Sequence, residues 1–201
     1  MFSIDLHNCA DSEGRGSAYD RSFARNESRP ISSRYLELIV KLINKGWWVA
    51  FLSYIGLDSH ALRRDAQEKV AEFSRRLAAL AYDLPVVKRQ LPLKLVITGS
   101  KIHWKHGKPQ QHIDLARRLG VRCGVHVDDC QEVADAFASK FRDEERIFRV
   151  RYHPGSHYIG SGARQFPLVA FPSAIAAIEE ALKITDIPAL CETNPVSHRG
   201  W

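Results

Sequence analysis

The sequence predicts an α/β domain: a Rossmann-like, mainly parallel sheet with helices on both faces. Three observations point there. Short apolar, β-branched runs alternate with helical patterns at least four times, as in chained strand–helix–strand units. The runs are nearly continuous in apolar residues, as strands covered on both faces are. Polar side chains collect where the runs end, at Asp5 and His7, at Ser53, and at Asp128 and Asp129. Parallel sheets bind ligands beyond the carboxyl ends of their strands, so this convergence also locates a candidate site.

The first strand is Phe2-Ser3-Ile4-Asp5-Leu6. Residues 8–30 are rich in Ser, Arg, Asn, Asp and Gly and read as a long loop, suited to act as a lid. Tyr35, Leu38, Ile39, Leu42 and Ile43 then repeat at helical spacing, and Gly46 ends that helix. Trp47 to Leu52 is the second strand, closed by Ser53-Tyr54-Ile55-Gly56. Asp58 or Ser59 caps a long helix to about Tyr82, with Leu62, Ala66, Val70, Phe73, Leu77 and Leu80 on one face, and Pro85 breaks it. Leu93 to Thr98 is the third strand. A polar loop from Gly99 to Gly107 leads into a helix with Pro109 in its first turn and Gly120 as its stop. The fourth strand, Cys123 to Asp129, precedes a helix with Val133, Ala134, Phe137, Ala138 and Phe141 inward. Ile147 to Tyr152 is a fifth strand, Leu168 to Phe171 a short sixth, and residues 173–183 a last helix. Residues 1–184 read as one domain and 185–201, with Pro188 and Pro195, as an irregular tail.

A chain of 201 residues, 45% hydrophobic and 26% charged, suits a single globular domain. No run approaches the ~18 apolar residues of a membrane span. No basic segment followed by a long apolar one opens the chain, so a secretory signal is not expected. The first strand starts almost at Met1, which also suits a domain cut from something longer. Cysteines 9, 123, 130 and 191 form no CxxC pair, and reduced thiols in the cytoplasm are the simplest account. The formal charge of +6 and pI near 9.3 favour anionic ligands such as phosphates, nucleotides or nucleic acid.

Adjacent carboxylates at a strand end cost free energy unless a cation or hydrogen-bond donors satisfy them. Asp128 and Asp129 therefore suggest a seat for a hard cation such as Mg²⁺, which takes oxygen ligands and keeps several waters. The competing reading is a solvated turn with Asp129 or Cys130 near the cap of the next helix. A zinc site from Cys123, His126 and Cys130, with His103 and His106, fits less well. On a strand Cys123 and His126 point to opposite faces, and the spacing matches no ordinary structural zinc site.

Four short motifs, in order, resemble the haloacid-dehalogenase-like superfamily, whose members are mostly phosphohydrolases. They are Phe2-Ser3-Ile4-Asp5-Leu6-His7, Val49-Ala50-Phe51-Leu52-Ser53, His106-Gly107-Lys108-Pro109, and Val125-His126-Val127-Asp128-Asp129. The resemblance covers roughly residues 2–150. It implies an Mg²⁺-dependent phosphatase in which Asp5 is the nucleophile and forms an aspartyl-phosphate. It further implies that Asp5, the carbonyl of His7 and the Asp128/Asp129 pair hold the magnesium, Asp129 being the stronger candidate of the two. Ser53 would hydrogen-bond the phosphoryl group, and Lys108 would offset the negative charge. Lys101 and Lys105 lie in the same stretch and compete for the lysine role. The cap is minimal: only the 59–82 helix and the 8–30 loop are available for it.

The chain departs from the family pattern at His7, where family phosphatases carry a second aspartate, and at Asn8 and Cys9, which replace Gly-Thr. A histidine with pKa about 6.5 can serve as acid and base near neutrality. The alternative function is a catalytically inactive module of the same fold that binds a phosphorylated, protein or nucleic-acid partner. Arg63, Arg64, Arg75, Arg76, Arg117 and Arg118 would suit an anionic one, and a solvated helix face explains them as readily.

Overall fold

The computed structural model describes residues 1–10, 30–56, 59–99, 104–128, 133, 136–137, 140, 146–150, 169–171 and 174–184. Among the described residues, six strands form one sheet: β1 (Phe2–Asp5), β2 (Val49–Tyr54), β3 (Lys94–Thr98), β4 (Val125–Asp128), β5 (Arg146–Val150) and β6 (Val169–Phe171). Their order is β3-β2-β1-β4-β5-β6 and every pairing is parallel. The helices bounded within the described residues are α1 (Arg34–Asn44), α2 (His60–Leu80), α3 (Pro85–Gln90), α4 (Trp104–Arg118) and α5 (Ala174–Ala181). Among the described residues, no helix is long and apolar enough to cross a membrane.

Strand alternation divides the core into two layers. Phe2, Ile4, Val49, Phe51, Val125 and Val127 face α1, α2 and α5, where Tyr35, Ile39, Leu42, Ile43, Phe73 and Ile178 complete the larger cluster. Ala50 and Leu52 face the other way, toward Leu115 and Ala116 of α4 and the helical residues Val133 and Phe137. The α/β architecture with helices on both faces is thus the one the sequence predicts. The chain moves outward from β1 to β3 using one face, then α4 carries it back across to β4 on the other. The strand order therefore reverses between β1 and β4, the place where such sheets open a crevice.

The elements match the expected ones with four physical differences. Strand β2 continues through Ser53 and Tyr54, which pair with Ile97 and Thr98 of β3, so Ser53 lies within a strand. Pro85 does more than end α2: it takes the first turn of α3, where a missing N–H costs nothing. From α3, buried Gln90 donates to the Trp47 carbonyl at 2.6 Å and accepts from the Val49 amide at 3.0 Å, completing the start of β2. Helix α4 begins at Trp104, so Pro109 is interior and Lys108 stands a full turn into the helix. After β1 the chain makes a single turn of π-helix, Leu6–Ala10, which takes in Leu6, expected to close the strand, and residues 8–10, expected to be loop. Ser59 occupies the N-cap of α2 without a side-chain cap bond. Residues 11–29, Asp58, Asp129, Cys130, Ala134, Ala138, Phe141, the glycine-rich stretch after His153 and the 185–201 tail lie outside the described residues.

Gly124 shows how closely β4 is set against its neighbours. A Cβ there would lie 2.5 Å from a Trp47 ring carbon and 2.9 Å from the Met1 carbonyl oxygen. Buried Trp47 is held edge-on to Phe2, so neither obstacle is the loose end of a flexible side chain. Gly124→Ala is expected to destabilise the fold by about 1–3 kcal/mol through overpacking, measured as a lowered urea midpoint at unchanged slope.

Candidate active site

The site begins with a problem of like charge. The β1–β4 register pairs Ser3 with His126 and Ile4 with Val127, so Asp5 and Asp128 come next, level on adjacent strands. Alternation sends both carboxylates to the α4 face, and like charges so placed repel. Lys108 resolves this. Its Nζ lies 2.9 Å from Asp5 Oδ1 and 2.9 Å from Asp128 Oδ2. All three side chains are buried, Asp128 completely, while Asp5 keeps 8% exposure at the rim.

Burial alone would lower the Lys108 pKa, but the carboxylates of Asp128 and Asp5 reverse this and hold its ammonium above its ordinary range. Burial would likewise raise Asp128; Lys108 and the His126 hydrogen bond outweigh it and keep the carboxyl below its ordinary value.

Beneath this bridge lies a second rung. His126 Nε2 is 3.0 Å from the same Asp128 Oδ2, and His126 Nδ1 is 2.8 Å from Ser3 Oγ. Ser3 Oγ is in turn 2.6 Å from Nδ1 of His112. Ser3, His112 and His126 are all fully buried. The His126 ring stacks on Phe137, with centroids 3.8 Å apart and planes 13° from parallel. Burial lowers the pKa of both histidines, most strongly for His112, where neighbouring His126 adds to it. A neutral His126 has one N–H, and donating it to Asp128 leaves Nδ1 as acceptor. The Ser3 hydroxyl then donates to His126, and its oxygen accepts from His112 Nδ1–H.

On the opposite side of Asp5, the π-helical turn brings His7 back over β2, with Nδ1 2.7 Å from Ser53 Oγ. The His7 pKa falls from 6.5 to about 4, through burial first and then the nearby positive charges of Lys69 and Lys108, with Asp65 opposing. Lys69 is itself held by Asp65 at 3.0 Å on α2.

The structure therefore gathers Asp5, Lys108 and Asp128 into one cluster and joins His7 to Ser53 beside it. Asp129 lies outside the described residues, as does Lys101, and Lys105 is described only as part of α4. Asp128 enters as the partner of Lys108 and His126. Among the described residues no group of three or more His, Cys, Asp or Glu is arranged to hold a metal ion. The donors on hand are hard oxygens, in keeping with magnesium, which binds through one or two carboxylates with waters and substrate phosphates. His126 bonds Ser3 and Asp128, which accounts for it without zinc. Of the surface arginines, Arg75 and Arg117 pair with Glu72 and Asp114 on their own helices, and Arg76 binds the Ile31 carbonyl.

Sequence reasoning passed over Ser3 and His112 and weighed His126 only as a zinc ligand. The signal was present as polar residues two apart in otherwise apolar strands, Ser3 with Asp5 and His126 with Asp128, and as Lys108 and His112 four apart on one helix. No family model, curated protein or solved structure matches the chain.

Replacing Lys108 by Met leaves two buried carboxylates facing each other, and a loss of about 3–5 kcal/mol is expected in urea unfolding at neutral pH. The pH dependence follows from the signs of the shifts. Asp128 is depressed, so its contribution is full above its ordinary 3.8 and is lost as pH falls further. His7 and His126 are also depressed; their neutral forms favour folding fully above 6.5 and progressively less as pH falls through their folded values. Lys108 is raised, so its contribution holds below 10.5 and is lost above it. Urea midpoints for the native chain are expected to fall on both sides of a plateau between pH 6.5 and 10.5. Lys108→Met is expected to lose the part of the alkaline decline due to Lys108, and to gain stability where acid neutralises the facing carboxylates.

Proposed function

We propose that the protein is a magnesium-dependent phosphohydrolase of the haloacid-dehalogenase-like kind, acting through an aspartyl-phosphate on Asp5. The observation that carries this reading is the shared bridge: one buried lysine contacts both Asp5 and Asp128 at 2.9 Å at the point where the strand order reverses. Two carboxylates and one ammonium leave net negative charge there, which favours a further cation. Magnesium would be held by oxygens of Asp5, the His7 carbonyl and Asp129, and when bound would offset charge on the phosphoryl oxygens.

The residues of the chain divide the work. Lys108 fixes the Asp5 carboxylate through Oδ1, which suits it to attack phosphorus. The bond from phosphorus to the leaving oxygen breaks, and that oxygen takes a proton from solvent. Water then attacks the aspartyl-phosphate, releasing inorganic phosphate and restoring the Asp5 carboxylate. His7, neutral above about pH 4, accepts the proton of that water. This role requires His7 Nδ1–H to donate to Ser53 Oγ, leaving Nε2 as the base. The same arrangement frees the Ser53 hydroxyl proton for a phosphoryl oxygen.

Phosphate release from p-nitrophenyl phosphate with Mg²⁺ tests the reading. Asp5→Asn is expected to abolish release, a chelator to do the same, and His7→Asn to lower kcat by about 10²–10⁴. Turnover indifferent to Asp5→Asn rejects the nucleophile. Absent turnover in the native chain, with retained binding of a phosphate-bearing ligand, favours the inactive-module alternative. If that ligand is nucleic acid, its affinity falls steeply with salt.

A further inference from the structure

Six buried side chains form one continuous line of polar contacts: His112, Ser3, His126, Asp128, Lys108 and Asp5. Only the last two, Lys108 and Asp5, take part in the reaction proposed above. The first three are fully buried polar groups inside a layer otherwise built from Leu52, Leu115, Val133 and Phe137. Apolar residues there would satisfy packing without the cost of desolvating two imidazoles and a hydroxyl.

Their placement has a simple geometric basis. Residues two apart on a strand are about 6.6 Å apart, and residues four apart on a helix about 6 Å. Helix α4 can thus lay Lys108 across the Asp5–Asp128 rung and His112 across the Ser3–His126 rung at once. Asp128 Oδ2 is the joint between the rungs, shared by Lys108 at 2.9 Å and His126 at 3.0 Å. A carboxylate held by one partner alone can rotate about its terminal torsion, which is broad. Held by both, it has one orientation, and the lysine is fixed with it.

We infer that His126 is a positioning residue: by donating to Asp128 Oδ2 it fixes the carboxylate that sets Lys108 on Asp5, with Ser3 and His112 locking its ring and tautomer. The assignment rests on the phosphohydrolase reading for its catalytic consequence, and on the geometry alone for its structural one. His126 touches no reacting atom; its effect reaches Asp5 through Asp128 and Lys108.

Two substitutions separate donor from ring. His126→Phe keeps an aromatic ring for Phe137 and removes both nitrogens. His126→Gln gives up the ring and restores an N–H donor near the Nε2 position. Two readouts are taken, the ¹⁵N resonance of the Lys108 ammonium in the full chain and the kinetics with p-nitrophenyl phosphate and Mg²⁺. In the native chain the Lys108 ammonium is expected to exchange slowly with solvent. His126→Phe is expected to abolish that protection and lower kcat about 10–100-fold, as loss of such outer partners does. KM is expected to be unchanged, since binding contacts remain. His126→Gln is expected to restore most of both.

Native protection and kcat in His126→Phe overturn the inference, as does a His126→Gln variant no better than His126→Phe, which would make the ring's packing the cause. Should the native chain lack turnover, the phosphohydrolase reading fails separately, and the Lys108 resonance alone decides the positioning role by the same comparison. Should His126→Phe not fold, Ser3→Ala takes its place. It removes the donor to His126 Nδ1 and leaves the ring; a fall in Lys108 protection supports the inference, and unchanged protection overturns it.

Discussion

Two carboxylates on neighbouring parallel strands, facing the same way in a dry layer, cannot both stay ionised without a cation between them. Lys108 is that cation, and much of the structure follows from seating it. It fixes the angular position of α4 over β1 and β4, since only one face of the helix can present it. It ties the ends of two strands adjacent in space and more than a hundred residues apart in sequence. Buried ion pairs of this kind seldom stabilise a fold relative to apolar packing of the same volume, because desolvation consumes the Coulombic gain. Stability alone therefore does not account for three buried charges kept at a strand-order reversal.

The two faces of the sheet divide accordingly. Toward α1, α2 and α5 the strands present Phe2, Ile4, Val49, Phe51, Val125 and Val127, and the layer is closed by aromatic and aliphatic side chains. This face carries the hydrophobic driving force. Toward α4, β1 and β4 present Ser3, Asp5, His126 and Asp128, and apolar cover is left to Ala50, Leu52, Leu115, Val133 and Phe137. The stack of His126 on Phe137 joins the polar line to that smaller core. Period-two alternation makes this division possible, as each strand serves the core with one set of residues and the site with the other.

The fold was largely legible in the sequence because strands buried on both faces leave continuous apolar runs, and helices leave their own period. The locations of Asp5, Ser53 and Asp128 were legible for the same reason, since a polar residue at the end of such a run has few other places to go. The line of polar contacts was not, because Ser3 and His126 look like minor interruptions of a strand until the β1–β4 pairing is known. Pairing between remote strands is not encoded in any local pattern. His112 was hidden similarly: on a helix with many polar residues, nothing local says which of them faces inward. The end of β2 was placed two residues early, at Leu52, because the end of an apolar run is not the end of hydrogen bonding, and β3 continues to pair with β2 as far as Tyr54.

Helix α4 carries the mark of the constraint with which the site began. Pro109 has no N–H to offer the carbonyl four residues back, and its ring crowds that turn, at a typical cost of ~3 kcal/mol in a helix interior. Proline also disfavours helical geometry in the residue before it, which here is Lys108. Local preference therefore starts the helix at Pro109, yet it begins five residues earlier, at Trp104. The opposing force is of the right size: freeing Lys108 from its carboxylates would leave buried charge unpaired, at about 3–5 kcal/mol. Ion pairs of that size are enough to offset the cost of a helical Lys108 ahead of a proline. On this account the site shapes the first turns of its own helix, which is why a pattern-based reading of that segment finds a loop.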